Sequence, residues 1–206
     1  MAASHSRQTI LDRLRVRPID PSPRPSIDQA KTVHYDDPVA KFTEMLTWVG
    51  GSVHQIDHCS EIQAVLDQLP EYNSATWIAS TIPEAVPGNI RLDQIDDPHV
   101  LASVDWSILR GEFCVAENGA VWVPTTNLIQ RTLLFIAQHL VLVVPKSETV
   151  MHMHDAYSKV QQSLAHQQAA PRFGVFVSGP SKTADIEQSL VLGAHGCRTL
   201  EVFLTP

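Results

Sequence analysis

Residues 178–183 carry the side chains best suited to binding a small anion. An apolar run, Phe173 to Val177, precedes them, and good helix formers follow. We predict a strand over this run and a helix from Thr183 to Leu192, so that hydroxyl groups, an ammonium group and backbone N–H groups face a ligand at the carboxyl edge of a sheet. The candidate ligand-binding residues are Ser178, Gly179, Ser181, Lys182 and Thr183. The alternative interpretation is a tight turn whose polar groups only cap the helix.

Glu117 is the candidate catalytic residue. It lies in Ala116-Glu117-Asn118-Gly119, between two apolar runs, and Asn-Gly in that setting is typical of a β-hairpin turn. A carboxylate at the hairpin tip could act as a nucleophile or a base if it is held in a dry setting near hydrogen-bond donors. The alternative is a solvated acid beside the turn.

Arg131 is a further candidate for ligand binding. It follows the second hairpin strand in a polar segment, and its planar guanidinium suits pairing with a carboxylate ligand. A surface or structural role is the alternative.

The histidines are numerous, but few of them converge on one place. His152 and His154, two residues apart on a predicted helix, should point about 200° apart, so they should not share a metal ion. His152 shares a face with Asp155, which we interpret as the polar face of an amphipathic helix. His195 should lie about 15 Å from Ser181, at the far end of the helix between them.

The cysteines give no sign of a metal site. The three cysteines are far apart, and no Cys-x-x-Cys pair is present, so we predict no iron–sulfur cluster, no zinc site and no bound cofactor on this chain. We expect Gly193 to adopt a left-handed conformation at the end of the helix over 183–192.

A predicted alternation of helices and strands positions these residues. Asp37-Pro38 begins a helix that ends at Gly50-Gly51, because Asp caps a helix and Pro suits its first turn. Ser60 and Gln63 form a predicted capping box, and Ser147 a predicted cap for a helix to about Gln168. Asp97-Pro98 begins a further short helix. The predicted strands are Ser52–Ile56, Thr76–Ser80, Phe113–Ala116, Ala120–Val123, His139–Val144, Phe173–Val177 and Thr199–Leu204.

These elements define the expected fold class and the domains. The last two strands, with helix 183–192 between them, form a predicted right-handed βαβ unit. The fold class is α/β, with a mixed, mostly parallel sheet flanked by helices. Residues 37–206 should form a single domain. Residues 1–36 should form a Pro-rich N-terminal arm, with a short helix at 9–16, that could join two copies of the chain.

Charge and hydropathy exclude several classes of function. The net charge is −7, which disfavours nucleic-acid binding because that requires a basic face. No apolar run approaches the roughly 20 residues that span a bilayer, and the first residues lack a signal-peptide core. With no cysteine framework for disulfides, we expect a reducing cytoplasm.

The C-terminal part of the sequence contains the segment Gly179-Pro180-Ser181-Lys182-Thr183-Ala184-Asp185-Ile186-Glu187, followed by Gly193-Ala194-His195-Gly196. These two segments resemble the signature of the LUD-domain family, the family of lactate-utilisation protein C. The resemblance covers most of 37–206 but not the arm. It implies the fold of the superfamily that contains ribose phosphate isomerases, glucosamine phosphate deaminases and CoA transferases. It also implies a cytoplasmic, non-redox subunit or accessory protein that works with iron–sulfur oxidoreductase partners in oxidising lactate to pyruvate.

Two alternatives stay open. Glu117-Asn118-Gly119 is similar to the segment that carries the nucleophilic glutamate of CoA transferases, although the glycine-rich oxyanion loop of those enzymes is missing here. The chain could therefore be an enzyme that acts on an acyl-CoA or a phosphorylated metabolite, with Glu117 as its reactive group and residues 181–183 on the anionic part. It could instead be a ligand sensor that uses the same crevice without chemistry.

Overall fold

The computed structural model describes residues 2–16, 32–125, 128–166, 173–184 and 189–206. The chain divides into two units, Met1–Val33 and His34–Pro206. The first unit contains the helix expected at 9–16, which begins earlier, at Ala2. The Pro-rich segment 18–25 lies outside the described residues, and the division into an arm and a domain stays a prediction. None of the described helices is both long and apolar enough to cross a membrane.

The second unit contains most of the helices and all of the described strands. The helices of the chain are α1 (Ala2–Val16), α2 (Pro38–Trp48), α3 (Glu61–Leu66), α4 (Pro70–Asn73), α5 (Leu133–Ile136) and α6 (Met153–His166), with short 3₁₀ helices at Leu92–Gln94, Pro98–Ser103 and Lys146–Glu148. The strands are β1 (Ser52–Gln55), β2 (Ile78–Ser80), β3 (Trp106–Arg110), β4 (Phe113–Val115), β5 (Ala120–Pro124), β6 (His139–Pro145), β7 (Thr149–Val150), β8 (Gly174–Val177), β9 (Lys182–Thr183), β10 (Val191–Leu192) and β11 (Thr199–Thr205).

A five-stranded parallel sheet forms the centre of the second unit, in the order β1-β11-β6-β3-β2. Its inner strands are mostly apolar and buried on both faces, as expected of parallel strands covered on both sides. On one face, Leu142 and Val202 pack with Phe42 and Leu46 of α2. The other face packs against helices α3 and α4. The predicted fold class, a mostly parallel sheet flanked by helices, is confirmed.

Local signals correctly placed α2 and the first strand. Asp37 lies just before the helix, and its Oδ1 accepts hydrogen bonds from Val39 N at 3.0 Å and Ala40 N at 2.9 Å. Pro38 occupies the first turn, where a missing N–H costs nothing. The helix ends beside Gly50, and the chain then enters β1 directly.

A second, four-stranded sheet is built on the predicted hairpin, in the order β7-β4-β5-β8. The hairpin is confirmed, because β4 and β5 pair antiparallel on either side of residues 116–119. Strand β8 also belongs to this sheet, pairing antiparallel with β5. The predicted βαβ unit is therefore wrong, since β8 and β11 lie in different sheets.

The helix expected at 183–192 is also wrong. Its two ends instead form the short antiparallel ladder of β9 and β10. Residues 185–188 between them lie outside the described part. Gly193 has the predicted left-handed φ, +73°, but it follows a strand residue and not a helix.

Two predicted helix caps are wrong as well. Ser60 has helical backbone angles and makes no capping hydrogen bond, whereas the Glu61 carboxylate accepts from His58 N at 2.8 Å. Ser147 lies in a 3₁₀ turn, and β7 separates that turn from α6. Helix α6 therefore begins six residues later than the predicted cap, at Met153. This shift changes the position of His152.

The cysteines give a direct test of the packing. Cys59 is exposed, while Cys114 and Cys197 are buried. Burial raises the pKa of the Cys114 thiol to about 12 and also raises the pKa of Cys197. Because the thiolate is the reactive form, a disulfide reagent at pH 8 should label one thiol in the native protein and three after denaturation. Cys59→Ser should abolish native labelling; labelling of two or more thiols in the native protein would contradict this packing.

Candidate functional site

The hairpin tip holds Glu117 against two neighbouring segments. Its backbone N–H donates to Met151 O at 3.0 Å, which continues the pairing of β4 with β7. Gly119 has a φ of +64°, and a Cβ atom there would lie 2.6 Å from Leu46 N. The turn therefore packs directly on the backbone of α2. These contacts fix Glu117 beside the residues that lead into α6.

His152 is the partner of Glu117. Its Nδ1 lies 2.9 Å from Glu117 Oε2, and the side chain of His152 is 8% exposed against 33% for Glu117. When Glu117 is ionised its carboxylate can only accept, so Nδ1 carries the proton. Nε2 is buried and has no hydrogen-bond partner within the described ranges. An unsatisfied buried acceptor costs about 1–3 kcal/mol, which is unusual for a purely structural histidine.

The backbone at the start of α6 orients His152. His152 is the residue just before the helix, and its backbone N–H donates to Asp155 Oδ2 at 3.2 Å. This is the return contact of a capping box, in which a residue of the first turn bonds back to the cap. The rings of His152 and His154 stack at 5.1 Å and 12°, so the expectation that they point apart is wrong. That expectation assumed that both residues were helical.

A second aromatic ring contacts the imidazole of His152. Tyr35 lies 5.4 Å from the ring of His152, centroid to centroid. Lys41 Nζ lies 5.9 Å from the centroid of the Tyr35 ring. The imidazole is thus enclosed by aromatic groups, and Glu117 is the more exposed member of the pair.

The segment 178–183 lies beside the same turn. Ser178 Oγ donates to Asn118 O at 2.8 Å, which links this segment to the residue after Glu117. A Cβ atom at Gly179 would lie 2.7 Å from Val49 O, so the segment packs on the end of α2. The structure therefore brings together two sets of residues that the sequence analysis had placed in separate candidate sites.

The location of this segment corrects another prediction. Val49 lies just before β1, and Cys197, whose carbonyl accepts from Ser181 N at 2.9 Å, lies just before β11. The segment is therefore at the amino ends of two adjacent strands, and not at the carboxyl edge of the parallel sheet. The reason is that β8, which leads into it, runs in the other sheet. Thr183 pairs with Val191 in the β9–β10 ladder.

Lys182 is the exposed cation of this segment. Its Nζ lies 3.8 Å from the position that a Cβ of Gly50 would occupy, at the end of α2. It forms no ion pair with a carboxylate of the described residues, whereas Lys41, Lys159 and several arginines do.

His195 also lies closer to Ser181 than expected. Gly193 N donates to Ser181 O at 2.9 Å, and a Cβ atom at Gly196 would lie 3.0 Å from Ser181 Cβ. The expected separation of about 15 Å assumed a helix between them. The β9–β10 ladder folds the chain back instead, and the exposed His195 is carried on the returning segment.

Arg131 is not brought to this site. Its guanidinium carbon lies 6.0 Å from the centroid of the Phe173 ring. Phe173 precedes β8 and Ser178 follows it, so the two are roughly 16 Å apart along the strand. Arg131 is also exposed. Its assignment as a ligand-binding residue has no support from position.

A second polar cluster lies at the edge of the parallel sheet, and sequence reasoning missed it. Glu201, on β11, is buried and accepts from Ser52 Oγ at 3.2 Å, while His54 Nε2 lies 2.7 Å from its other oxygen. These residues are far apart in sequence, and only the β1–β11 pairing brings them together. In residues 2–16, 32–125, 128–166, 173–184 and 189–206, no group of three or more His, Cys, Asp or Glu residues is arranged to hold a metal ion.

A family comparison identifies the class of protein. The model of the LUD domain matches residues 98–205, which is more than half of the chain. The chain therefore belongs to the LUD domain family. The matched range includes Glu117, His152 and the segment 178–183.

Individual relatives agree with this family assignment. The chain is 35% identical over 89 residues to lactate utilization protein C of Geobacillus thermodenitrificans and 34% identical over 89 residues to that of Bacillus subtilis. Each alignment covers 43% of this chain and 37% of the relative, so the chain matches well under half of the length of these relatives. A solved DUF162 family protein from Deinococcus radiodurans has a TM-score of 0.62 and 16% identity, over 85% of this chain and 100% of that one. At that identity the likeness shows the fold alone.

Proposed function

We propose that this chain is a cytoplasmic, non-redox subunit or accessory protein of an iron–sulfur-dependent system that oxidises lactate to pyruvate. The LUD domain match, with relatives named lactate utilization protein C, carries the proposal. Removing two electrons from lactate requires an electron acceptor. In this proposal the iron–sulfur partner proteins supply it, because the chain has three scattered cysteines, two of them buried.

A gene deletion tests this proposal. In the organism that encodes the chain, deletion should abolish growth on lactate while growth on pyruvate continues. A tagged copy should restore growth and should co-purify with iron–sulfur proteins. Unchanged growth on lactate, together with unchanged lactate oxidation in extracts, would contradict the proposal.

A second candidate function is favoured by the Glu117–His152 pair. In this candidate the chain is an enzyme that acts on an acyl-CoA or a phosphorylated metabolite, with Glu117 as nucleophile or base. His152 would hold the carboxylate through Nδ1, and residues 181–183 would contact the anionic part. The Glu117 carboxylate, which is held by His152 while a third of its side chain is exposed, supports it.

A metabolite panel separates this second candidate from the first. CoA thioesters and sugar phosphates should raise the melting temperature of the protein, and Glu117→Gln should remove turnover of any compound that binds. If none of these compounds stabilises the protein, the second candidate is wrong. Binding without turnover would instead support a ligand sensor.

A further inference from the structure

A cavity of about 440 Å³ lies at the amino ends of three neighbouring strands of the parallel sheet. Asp105, Gln138 and Arg198 each come immediately before one of these strands, which are β3, β6 and β11. Backbone hydrogen bonds join these residues, from His139 N to Asp105 O at 2.8 Å and from Arg198 N to Gln138 O at 2.7 Å. The polar residues that line the cavity are Glu71, Ser74, Asp105, Gln138, His139 and Arg198.

His139 is held in one orientation in the cavity wall. Its Nδ1 lies 2.8 Å from Thr199 Oγ1, and its ring stacks on the buried ring of Trp106 at 4.5 Å and 17°. Its Nε2 makes no hydrogen bond with any of the described residues and, unlike Nε2 of His152, is not shut off from solvent. Nε2 is therefore the ring nitrogen that a ligand in the cavity can contact.

The charged side chains of the cavity wall act on this imidazole. Burial is the main reason why the pKa of His139 lies below its ordinary value, while the carboxylates of Glu71 and Asp105 raise this pKa and the guanidinium of Arg198 lowers it. Because electrostatic interactions weaken with distance, all three charges lie near the ring. The imidazole is neutral at pH 7, since even its ordinary pKa is about 6.5, and a neutral imidazole can hydrogen-bond to a ligand.

The charges of the cavity wall do not neutralise one another. None of the ion pairs within the described ranges includes Glu71, Asp105 or Arg198. Asp105 uses Oδ2 to accept from the backbone N–H groups of Thr76 and Trp77, at 2.8 Å and 2.9 Å, which leaves Oδ1 for a ligand. The wall thus offers separate places for a positive group and for a negative group.

The spacing across the strands suits a small molecule that carries both charges. Adjacent strands lie about 4.8 Å apart, so the backbones of Asp105 and Arg198 are roughly 10 Å apart, with Gln138 between them. A molecule a few ångströms long fits this span with a contact of about 2.9 Å at each end. A simple anion would meet two carboxylates and a simple cation would meet the guanidinium, whereas a zwitterion satisfies all three groups.

We propose that this cavity binds an α-amino acid, whose ammonium group contacts Glu71 and Asp105 and whose carboxylate pairs with Arg198. His139 Nε2 makes a further hydrogen bond with the same molecule. Both ionic contacts are charge-assisted, and the guanidinium fork matches the shape of a carboxylate. This site does not depend on the proposed role in lactate utilisation.

A thermal-shift panel of the standard L-amino acids, at about 10 mM each, tests the proposal on the full chain. At least one of them should raise the melting temperature, and in calorimetry it should bind saturably. The corresponding amine and N-acetyl derivative should each bind about tenfold more weakly or worse, because each lacks one of the two charges. No stabilisation by any amino acid, or equally tight binding of either derivative, would overturn the proposal.

Variants of the cavity wall locate the bound amino acid. Arg198→Met keeps an unbranched side chain to pack against Gly193 but removes the guanidinium, and Glu71→Gln removes only a charge. Each variant should weaken binding by about tenfold. Both side chains are exposed, and melting temperatures without ligand show that the variants fold. Unchanged binding in either folded variant would overturn the assignment of this cavity.

Arg91→Met and Glu112→Gln are the matched controls. Arg91 forms an exposed ion pair with Asp93 at 3.0 Å, and such surface pairs contribute little to stability. Glu112, just before β4, makes no side-chain hydrogen bond or ion pair with the part of the chain that the structure describes. Neither residue lines the cavity, so binding should be unchanged in both variants. Losses as large as those in the cavity variants would contradict the proposal.

The contact with His139 has its own test. His139→Phe keeps a ring that stacks on Trp106 but removes Nε2. Binding of the amino acid should fall about fivefold in this variant, as expected for the loss of one hydrogen bond. Unchanged binding would show that His139 does not contact the ligand.

Discussion

Gly119→Ala should lower the free energy of unfolding by about 3 kcal/mol, the sum of backbone strain and a clash. The φ of Gly119 is +64°, a conformation that disfavours any side chain. A Cβ atom would also lie 2.6 Å from Leu46 N and 2.8 Å from Leu46 Cα. Backbone atoms of a packed helix cannot move aside cheaply. Chemical denaturation measures this loss.

Gly50→Ala is the control that separates strain from clash. Gly50 has a φ of +91°, but the nearest atom to a Cβ there would be 3.6 Å away, on the Pro180 ring. Only backbone strain should destabilise this variant, so we expect the free energy of unfolding to fall by about 1–2 kcal/mol. If Gly119→Ala were no more destabilising than Gly50→Ala, the close packing of the hairpin on α2 would be wrong.

Trp106→Ala should lower the free energy of unfolding by about 4 kcal/mol, as expected when a large buried ring is removed. Trp106 is 1% exposed and stacks on His139 at 4.5 Å. Its edge meets Tyr72 of α4 at 5.3 Å, and its Nε1 donates to Glu71 O at 3.3 Å. Removing it opens a cavity between the parallel sheet and α4.

The melting temperature reports this loss. For a domain of this size, 4 kcal/mol corresponds to a decrease of about 8–16 °C. Trp48 provides the matched control, because it is 78% exposed and Trp48→Ala should change stability by less than about 0.5 kcal/mol. Similar decreases in both variants would contradict the described packing of β3 against α4.

The features that the sequence predicted correctly depend on neighbouring residues. The Asp37 cap needs only the next three residues, and the hairpin needs only the Asn-Gly turn and its flanking apolar runs. The β-branched runs of β6 and β11 are buried on both faces, which identifies them as parallel strands. Each of these features depends on residues that are close together in the sequence, so a local pattern is enough to predict it.

The wrong predictions concern pairing between distant residues. Nothing near β8 distinguishes a partner in one sheet from a partner in the other, and the residues that it pairs with on β5 are 50 to 56 positions away in the sequence. The residues at 183–192 have favourable helix propensity. The two ends of this range nevertheless pair as β9 and β10, and Ser181 N donates to Cys197 O just before this range. Tertiary packing overrides propensity of this size.

Half of the candidate site was predictable. The sequence singled out Glu117 and residues 178–183, but it treated them as separate because their proximity depends on the β5–β8 pairing. The contact of His152 with Glu117 was missed because Ser147 was predicted to cap α6, which placed His152 inside the helix. Asp155 accepts from the backbone N–H of His152 as in a capping box, but His-x-x-Asp lacks the Ser/Thr and Glu/Gln residues by which a sequence reveals that pattern.

The most direct test of the central claim, the proposal that Glu117 serves the lactate-utilisation role of this chain, is growth of a complemented deletion strain on lactate. The deletion strain complemented with the Glu117→Gln variant should fail to grow on lactate. The strain complemented with the Glu112→Gln variant should grow like the wild type. Both proteins should accumulate and melt at the same temperature. Full growth with Glu117→Gln would contradict the claim.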